Sequence, residues 1–407
     1  MKALLPVLLF SALAHAEPTP WRWQEDRVPD LGFDLDAAQV IKVTSLESKG
    51  KGTLREALLA KGPRIVVFEV AGVIDLDLKG LKVDEPQLIV AGQTAPSPGI
   101  TLIRGTLQIQ GSQTLIQHLH VRPGDAGQAK GTWDPDGMTT SGGPQEVWFD
   151  HCSCTWSIDE NLSATTYKSP TGEPTRRVYM RDCLIAEALN NSTHHKGPHS
   201  KGTLVDAGTQ EVAIVRCLYS SNVERNPVIH PGTSAVIVNT VIANPGERAI
   251  HSNTSQKTEG VPKAMISIVG NVVLFGEKTK KSAAVFEGDA NAFFKDNEGY
   301  DWEGKPLPLL RVPFATAEKP PLWPEGLIAT STTAALWHVA RSVGARPGDR
   351  DAIDQRIITQ ALTGKARIID SQDDVGGYPK IEPVTRALEV PVTGRREWLD
   401  KMAREVE

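Results

Sequence analysis

The feature that most constrains the fold of this chain is an irregular repeat of short apolar segments. The six segments begin at Thr114, Val147, Val178, Val212, Ala235 and Ile266. Their starts are separated by 33, 31, 34, 23 and 31 residues. Each segment alternates apolar and polar residues and is rich in Val and Ile, which is typical of a strand with one buried face. Clusters of Gly, Pro, Ser and Asn between the segments predict turns and longer loops.

This repeat predicts an all-β fold, a right-handed parallel β-helix. A short strand in every coil, with no helical pattern between the strands, favours a solenoid over a βαβ sheet. A β-sandwich of short strands is the alternative interpretation. Equivalent positions of a solenoid stack about 4.8 Å apart, so the sixth position of each repeat should form one internal column. That column reads Leu119, Cys152, Cys183, Cys217, Thr240 and Asn271. We expect its cysteines to be buried and mostly reduced.

Segments before and after the repeat complete the predicted domain organisation. Residues 65–76 and 88–103 have the composition of earlier coils, and residues 45–59 contain a short amphipathic helix that would cap the open end. We therefore predict a β-helix domain over residues 17–300 and a C-terminal flank over residues 301–407. The flank is expected to pack on the solenoid, although its composition would also fit a small separate domain.

The flank begins with a proline-rich stretch. Residues 301–323 predict an irregular segment that wraps the surface. Residues 332–343 and 351–363 predict two helices, because apolar residues recur there at helical spacing.

The first residues have the pattern of a secretory signal peptide. Lys2 precedes an apolar run over residues 3–13, and Ala14-His15-Ala16 provides a small-x-small cleavage signal. The apolar run is much shorter than the roughly 20 residues that cross a bilayer. We therefore expect residues 1–16 to be removed from a secreted or periplasmic protein that has no membrane span.

Charge and cysteine content exclude several classes of partner. The net charge of −5 gives no general attraction for nucleic acid or an anionic membrane, so neither is expected as a partner. A polyanionic substrate would have to be met by local cations or by a bridging metal. Four cysteines are too few for a disulfide scaffold in a chain of this length.

We expect the protein to be a monomer.

Acidic residues concentrate in two loops of neighbouring coils. Asp134 and Asp136 lie in the segment WDPDGM, and Asp159 and Glu160 lie in WSIDENLS. Both loops should leave the solenoid on the same side, so the carboxylates are expected to converge. Several carboxylates on loops suit a hard cation such as Ca²⁺. Paired carboxylates also suit a glycosidase.

The next two loops are basic. Lys196 and Lys201 follow the third repeat among several histidines, and Arg225 follows the fourth repeat with His230 close behind. The histidines do not have the spacing of a zinc motif such as HExxH. Acidic loops on one coil and basic loops on the next two, at corresponding places, favour a functional site for an acidic substrate.

Several segments resemble the family 1 polysaccharide lyases, the pectate lyase-like parallel β-helices. They are GTLREAL (52–58), VAGQTAPSPGITL (90–102), VRPGD (121–125), DPDGM (134–138), VWFDHCSCTWSIDENLS (147–163), HHKGPHSKGTLVDAG (194–208), ERNP (224–227), GARPGDRDAIDQRI (344–357) and DVGGYP (374–379). The resemblance covers most of the chain beyond residue 16. It implies a calcium-dependent enzyme that cleaves a pectate-like acidic polysaccharide by β-elimination.

The resemblance also implies roles for individual residues. It assigns Ca²⁺ binding to Asp134, Asp136 and Asp159, with Glu160 in support. It makes Arg225 the base that removes the C5 proton of the uronate. It makes Lys201 a second catalytic residue, a cation that faces the substrate, with Lys196 as the nearby alternative.

Two positions depart from the family pattern. Ser163 stands where many members have a further calcium-binding aspartate, and His230 stands where they have a second substrate-binding arginine. The sequence therefore leaves the identity of the polyuronate open. Lys196 and His230 remain candidates for substrate binding.

Two other classes of function remain open. An inverting glycoside hydrolase can also occupy a β-helix, and it would need two carboxylates about 6.5 to 9.5 Å apart. A non-catalytic carbohydrate-binding β-helix is the second alternative. Both Arg225 and Lys201 are present, which favours the lyase over this binding protein.

Overall fold

The computed structural model describes residues 20–252, 260–280 and 283–407, and these residues wind into a parallel β-helix. The predicted signal peptide, residues 1–16, lies outside the described residues. Two long sheets and two short sheets form the solenoid wall. Within the described strands, every pairing is parallel except the one that joins Val384–Thr385 to Val70–Asp75. The prediction of a parallel β-helix is therefore confirmed, and the β-sandwich alternative is wrong.

The strands fall into four sets. Sheet A contains Gln39–Val43, Arg64–Phe68, Leu88–Ala91, Thr114–Gln117, Gln145–Asp150, Arg176–Arg181, Gln210–Val215, Ser234–Val238, Met265–Val269 and Asn291–Lys295. Sheet B contains Val70–Asp75, Ile100–Ile103, Leu119–Arg122, Ser153–Thr155, Leu184–Ala186, Leu218–Ser220, Val241–Ala243, Val272–Leu274, Glu298–Tyr300 and Val384–Thr385. Sheet C contains Leu81–Val83, Leu107–Ile109, Met138–Thr140 and Leu162–Ser163. Sheet D contains Leu204–Val205, Val228–Ile229, Ile250–Ser252 and Phe286–Glu287.

The register of sheet A reproduces the alignment of the six repeats. Val147 pairs with Thr114 on one side and with Val178 on the other. Val212 pairs with Val178, and the same phase continues through Ala235 and Ile266. A one-residue slip would turn the buried side chains to the opposite face of the sheet. The apolar alternation therefore fixes the register along the solenoid.

The cysteine column lies inside the solenoid, as predicted. Cys152, Cys183 and Cys217 are fully buried, and all four cysteines are free thiols. Each thiol of the column donates to a backbone carbonyl of the preceding coil; the Cys183 Sγ lies 3.4 Å from the Phe149 oxygen. Burial raises the pKa of the Cys183 thiol well above its usual value. These cysteines therefore act as small, unreactive core residues.

The fifth position of the repeat forms the corner between sheets A and B. His118, His151, Asp182, Arg216 and Asn239 occupy it, and all have positive φ between 47° and 56°. Asn, Asp and His are the non-glycine residues most often found in this left-handed region. The corner thus stacks polar residues at the ends of five successive sheet A strands.

Helix α1 (Leu54–Leu58) lies at the N-terminal end of the internal core. Leu54, Ala57 and Leu58 are buried there beside Val43. The Thr53 side chain caps the helix by accepting a hydrogen bond from the Glu56 amide. The predicted amphipathic helix of residues 45–59 thus contributes its apolar face to the first coil.

Residues from both ends of the described chain cover the outside of the solenoid. Trp148 and Tyr179 stack at 3.8 Å on the outer face of sheet A, and Trp23 packs over them. Helices α2 (Thr332–Ser342) and α3 (Ala352–Leu362) bury apolar residues against sheet B. Helix α4 (Arg395–Arg404) contributes Leu399 to the cover of sheet A.

The sequence analysis missed some of these elements. It did not predict α4, the first strand of sheet A or the last coil, which ends at Tyr300. The two predicted flank helices are present; α2 is one residue shorter than predicted at its C-terminal end, and α3 is one residue shorter at each end. Residues 301–323 contain neither helix nor strand, as predicted. Among the described residues, no helix has the length and apolar composition needed to cross a bilayer.

The buried column predicts the redox state of the cysteines. Denatured protein that has never met a reductant should react with about four equivalents of a thiol reagent, since each thiol is buried and bonded to a carbonyl. A count of two or fewer would show that the column oxidises in the exported protein.

Candidate active site

The predicted acidic residues converge at the corner between sheets B and C. Asp136 comes just before a strand of sheet C, and Glu160 comes just before the next strand of that sheet. The Glu160 amide donates to the Asp136 carboxylate at 3.2 Å. Gly137 permits this approach, because a β-carbon there would lie 2.4 Å from the Asn161 carbonyl oxygen. The coil geometry thus brings the two acidic loops together as predicted.

The basic residues continue the same column along the solenoid. Backbone bridges join Glu160 to Lys201 and Lys201 to Glu224 on successive coils. Arg225 follows in the left-handed conformation, with φ of 61°. Its guanidinium contacts the Glu160 carboxylate and lies 3.9 Å from Asp159 Oδ1. Arg225 therefore reaches back across a coil to the acidic loops.

The backbone of Arg225 lies close against the backbone of the preceding coil. The Arg225 carbonyl accepts a hydrogen bond from the Thr203 amide at 2.6 Å. A β-carbon on Gly202 would lie 2.4 Å from that same oxygen. A side chain at this glycine would push the Arg225 loop away from the preceding coil.

Three buried asparagines hold the acidic and basic loops in position through side-chain hydrogen bonds. Asn161 Nδ2 donates to Asn222 Oδ1 at 3.0 Å, and Asn222 Nδ2 donates to Asn226 Oδ1 at 3.1 Å. All three side chains are buried. They connect the residue after Glu160 to the residue after Arg225, so the positions of those two groups are coupled. The sequence analysis did not identify these asparagines.

Two histidines hold Asp159. His199 Nε2 lies 2.9 Å from one carboxylate oxygen, and His194 Nε2 lies 3.4 Å from the other. Burial opposes ionisation of Asp159, but the hydrogen bond from His199 and the charges of His199, Arg225 and His194 lower its pKa below the usual value. Asp159 is thus kept as a carboxylate beside Arg225.

The pKa of Asp136 is shifted in the opposite direction from that of Asp159. Burial and then repulsion from Asp159 raise the pKa of Asp136 well above its usual range, and Arg225 only partly opposes that rise. Asp134 is exposed and accepts from His195 Nδ1 at 2.8 Å. The acidic loops therefore contain more negative charge than the neighbouring cations neutralise.

These residues fit a hard divalent cation. Asp136, Asp159 and Glu160 present carboxylate oxygens within one small region, with Asp134 at its edge. Oxygen ligands on loops are what Ca²⁺ prefers. The raised pKa of Asp136 shows that a positive charge here would relieve repulsion.

The surroundings of Arg225 act on its pKa in two opposing directions. Burial does lower the pKa of Arg225, but the charges of Asp159 and Asp136 oppose the shift. A cation bound by those carboxylates would remove part of the opposition.

The remaining predicted residues lie around this cluster. Lys201 is buried and forms an ion pair with Glu224 on the next coil. Lys196 is exposed on the loop that carries the histidines. His230 pairs with Asp206 at 3.0 Å, beyond the strand Val228–Ile229. Strand formation therefore separates His230 from Arg225, despite their short distance in sequence.

Ser163 has a structural contact at the position of the missing aspartate. It is buried, and its hydroxyl accepts a hydrogen bond from the Leu204 amide at 3.1 Å. The side chain thus links sheet C to the first strand of sheet D. Glu160, which is three residues earlier and touches Arg225, supplies the acidic group in this part of the site.

Comparisons with known proteins agree with this architecture. No protein-family model matches the chain. A probable pectate lyase C from Emericella nidulans is 28% identical over 396 residues, which span 93% of this chain and 84% of the relative. The crystal structure of the major cedar pollen allergen has a TM-score of 0.55 at 14% identity, covering 76% of this chain and 89% of the allergen.

A pectate lyase from a Bacillus species, solved in complex with trigalacturonate, has a TM-score of 0.52 at 11% identity. The match covers 76% of this chain and 94% of that structure. Structural similarity at such low identity establishes the fold, and the fungal relatives extend the similarity to the sequence over most of the chain. These findings agree with the resemblance that the motifs indicated: the chain has the parallel β-helix fold of these solved structures, and its sequence is similar over most of its length to proteins named probable pectate lyase C.

Proposed function

We propose that the protein is an exported, calcium-dependent lyase that cleaves a polygalacturonate-like chain by β-elimination. The observation that carries this proposal is the position of Arg225 against the acidic loops of two earlier coils. The names of the fungal relatives and the trigalacturonate complex of the Bacillus enzyme support the substrate class. The signal-peptide pattern of residues 1–16 supports export.

Asp136, Asp159 and Glu160 would hold the cation, with Asp134 at the edge of the site. When bound, Ca²⁺ would neutralise the uronate carboxylate and make the adjacent C5–H bond more acidic. The protein's contribution is to place a base and the substrate carboxylate side by side. The buried asparagine contacts make that placement rigid.

Arg225 would accept the C5 proton on its guanidine. The electrons of the C5–H bond then form the C4–C5 double bond, and the C4–O bond breaks. The departing glycosidic oxygen takes a proton from water. Lys201, which forms an ion pair with Glu224 on the adjacent coil, would bind a substrate carboxylate.

The first prediction concerns the metal. Asp136→Ala should raise the calcium concentration needed for activity or abolish turnover, because it removes a ligand from an already small set. Activity is measured as ultraviolet absorbance of the unsaturated product, which hydrolysis does not form. Asp289→Ala is the matched control, since Asp289 is exposed and pairs with Lys263. Full activity in excess chelator would refute the calcium requirement.

The second prediction concerns the base. Arg225→Lys keeps the charge but replaces the planar fork with an ammonium on a different stem. We expect kcat to fall by about 100- to 10,000-fold with little change in KM, as for loss of a general base. A rise in KM with nearly unchanged kcat would instead make Arg225 a binding residue.

Arg248→Lys is the control for this substitution. Arg248 lies one coil beyond Arg225 and pairs with Glu224 and Glu287. Its replacement should leave kcat within about tenfold of the wild-type value, because it does not contact the acidic loops. A comparable loss of kcat in both variants would mean that the effect comes from charge along the column.

The third prediction concerns pH. Burial lowers the pKa of Arg225, but Asp159 and Asp136 oppose it, so the neutral form grows as pH rises. At saturating Ca²⁺, kcat should increase from about pH 7 toward about pH 10, since an unperturbed arginine titrates above about 12. A pH profile that is already flat at neutral pH would show that a more acidic group is the base.

A further inference from the structure

The motif segment VWFDHCS places residues at a second polar cluster, away from the acidic loops. Asp150 ends a strand of sheet A, and His151 occupies the corner between sheets A and B. The acidic loops lie at the next corner of the same coil, between sheets B and C. The lyase mechanism uses neither Asp150 nor His151.

Three side chains meet at this second corner. His118 and His151 come from adjacent coils, with ring centroids 5.2 Å apart and an interplanar angle of 14°. A ring nitrogen of each histidine and a carboxylate oxygen of Glu407 all lie within 4.8 Å of one another. This combination of two imidazoles and one carboxylate is the donor set of many three-ligand zinc sites.

Within the described ranges, two atoms of this cluster have no hydrogen-bond partner. His118 is fully buried, and its Nε2 has no hydrogen-bond partner among the described residues. Glu407 Oε1 is also buried without a partner in the described part of the chain. Buried polar atoms are normally satisfied, and a bound ion is one of the recognised explanations for exceptions.

The second polar atom of each of these three side chains already has a hydrogen-bond partner. His118 Nδ1 lies 2.7 Å from the Ala345 carbonyl oxygen, and His151 Nδ1 lies 3.0 Å from Asp150 Oδ1. Metal-binding histidines usually have their second nitrogen on a backbone carbonyl or a carboxylate in this way. Arg27 donates to Glu407 Oε2 at 2.8 Å, which leaves Oε1 as the free oxygen.

The protonation state of His118 suits a ligand. Burial and then the charge of His151 lower the pKa of His118 to about 3. With Nδ1–H directed at the Ala345 carbonyl, the neutral ring would leave a lone pair on Nε2. The buried Nε2 of His118, which has no hydrogen-bond partner among the described residues, is therefore the atom available to a metal.

The cluster opens into a cavity that can supply the remaining coordination position. The cavity has a volume of about 430 Å³ and is lined in part by His151, Asp182, His338 and Glu407. The charge of Asp182 is met by Arg216 and His338. Asp150 is paired with Arg181. Among the described residues, His118 Nε2 and Glu407 Oε1 remain as the unsatisfied atoms of the cluster, and His151 Nε2 lies 3.9 Å from Asp182 Oδ2.

We propose that His118, His151 and Glu407 form a binding site for a borderline transition-metal dication such as Zn²⁺, separate from the carboxylate site of the lyase reaction. Imidazole donors favour such ions over Ca²⁺. The ion would join two coils of the solenoid to Glu407, which lies just beyond helix α4. The bound ion is expected to stabilise the packing of the C-terminal segment against this corner of the solenoid.

The test uses the full mature chain, stripped of metal and then kept in excess Ca²⁺ to occupy the carboxylate site. Titration with Zn²⁺ in a calorimeter should show one bound ion, and Zn²⁺ should raise the Tm because it binds the folded state. Co²⁺ should give the intense visible bands of a four-coordinate site. Absence of saturable Zn²⁺ binding under these conditions would overturn the proposal.

Variants locate the ion. Glu407→Gln and His118→Gln should each weaken Zn²⁺ binding by at least about tenfold, and Asp150→Asn by about 10- to 100-fold through His151. His338→Gln is the matched control, because His338 lines the same cavity but bonds to Asp182. It should bind Zn²⁺ as the wild type does.

A second histidine cluster provides the decisive comparison. Asp159, His194 and His199 also bring donor atoms together, beside the lyase site. If Zn²⁺ binding survives in Glu407→Gln and is lost in His199→Gln, the ion occupies that cluster and the proposal is wrong. If the His118 variant fails to fold, Glu407→Gln and the Co²⁺ spectrum of the wild type still decide between the sites. Neither readout depends on lyase activity.

Discussion

The structure depends on one constraint: equivalent residues of successive coils must stack in register. Strand spacing sets the distance between coils at about 4.8 Å. Each side chain therefore contacts the side chains at the equivalent positions of the coils before and after it. Aliphatic residues satisfy this requirement inside the solenoid, and Cys152, Cys183 and Cys217 satisfy it by donating to carbonyl groups. Polar residues at the corners have to be arranged so that their charges are compatible with those of adjacent coils.

The two corners meet this requirement in different ways. At the corner between sheets A and B, every fifth-position residue adopts the left-handed conformation, and segments from both ends of the chain bury the polar column. At the corner between sheets B and C, the loops remain partly open to solvent, and Asp159 and Arg225 each keep about a quarter of their side chain exposed. A polymer could therefore reach the corner between sheets B and C directly, whereas the corner between sheets A and B opens only into a cavity of about 430 Å³.

Much of this could be predicted from the sequence, because register and alternation are local properties. The six repeat starts, the cysteine column and the convergence of Asp136 with Glu160 follow from stacking alone. The contacts of Asp159 with His194 and His199 could not be predicted, since they depend on how a long loop folds back. The fifth-position column was missed because polar residues at the end of a strand are also typical of an ordinary solvent-exposed turn. Helix α4 was missed because only Leu399 and Ala403 of its residues are buried, which leaves a weak apolar pattern.

The charges along the corner between sheets B and C show how the acidic loops differ from the coils that follow them. Beyond Lys201, opposite charges alternate from coil to coil through ion pairs; the series is Lys201, Glu224, Arg248, Glu287 and Arg311. Each carboxylate there lies between two cations, so stacking places unlike charges together and repulsion is avoided. The alternation fails at the acidic loops, where Asp136 faces Asp159 and shares Arg225 with it and with Glu160. His194 and His199 also contact Asp159, so Arg225 is left to balance the charges of Asp136 and Glu160. Either Asp136 takes up a proton, as its raised pKa indicates, or a divalent cation supplies the missing charge. Only the second state leaves the carboxylates ionised and reduces their hold on the Arg225 proton, and both conditions are needed if Arg225 is to act as a base.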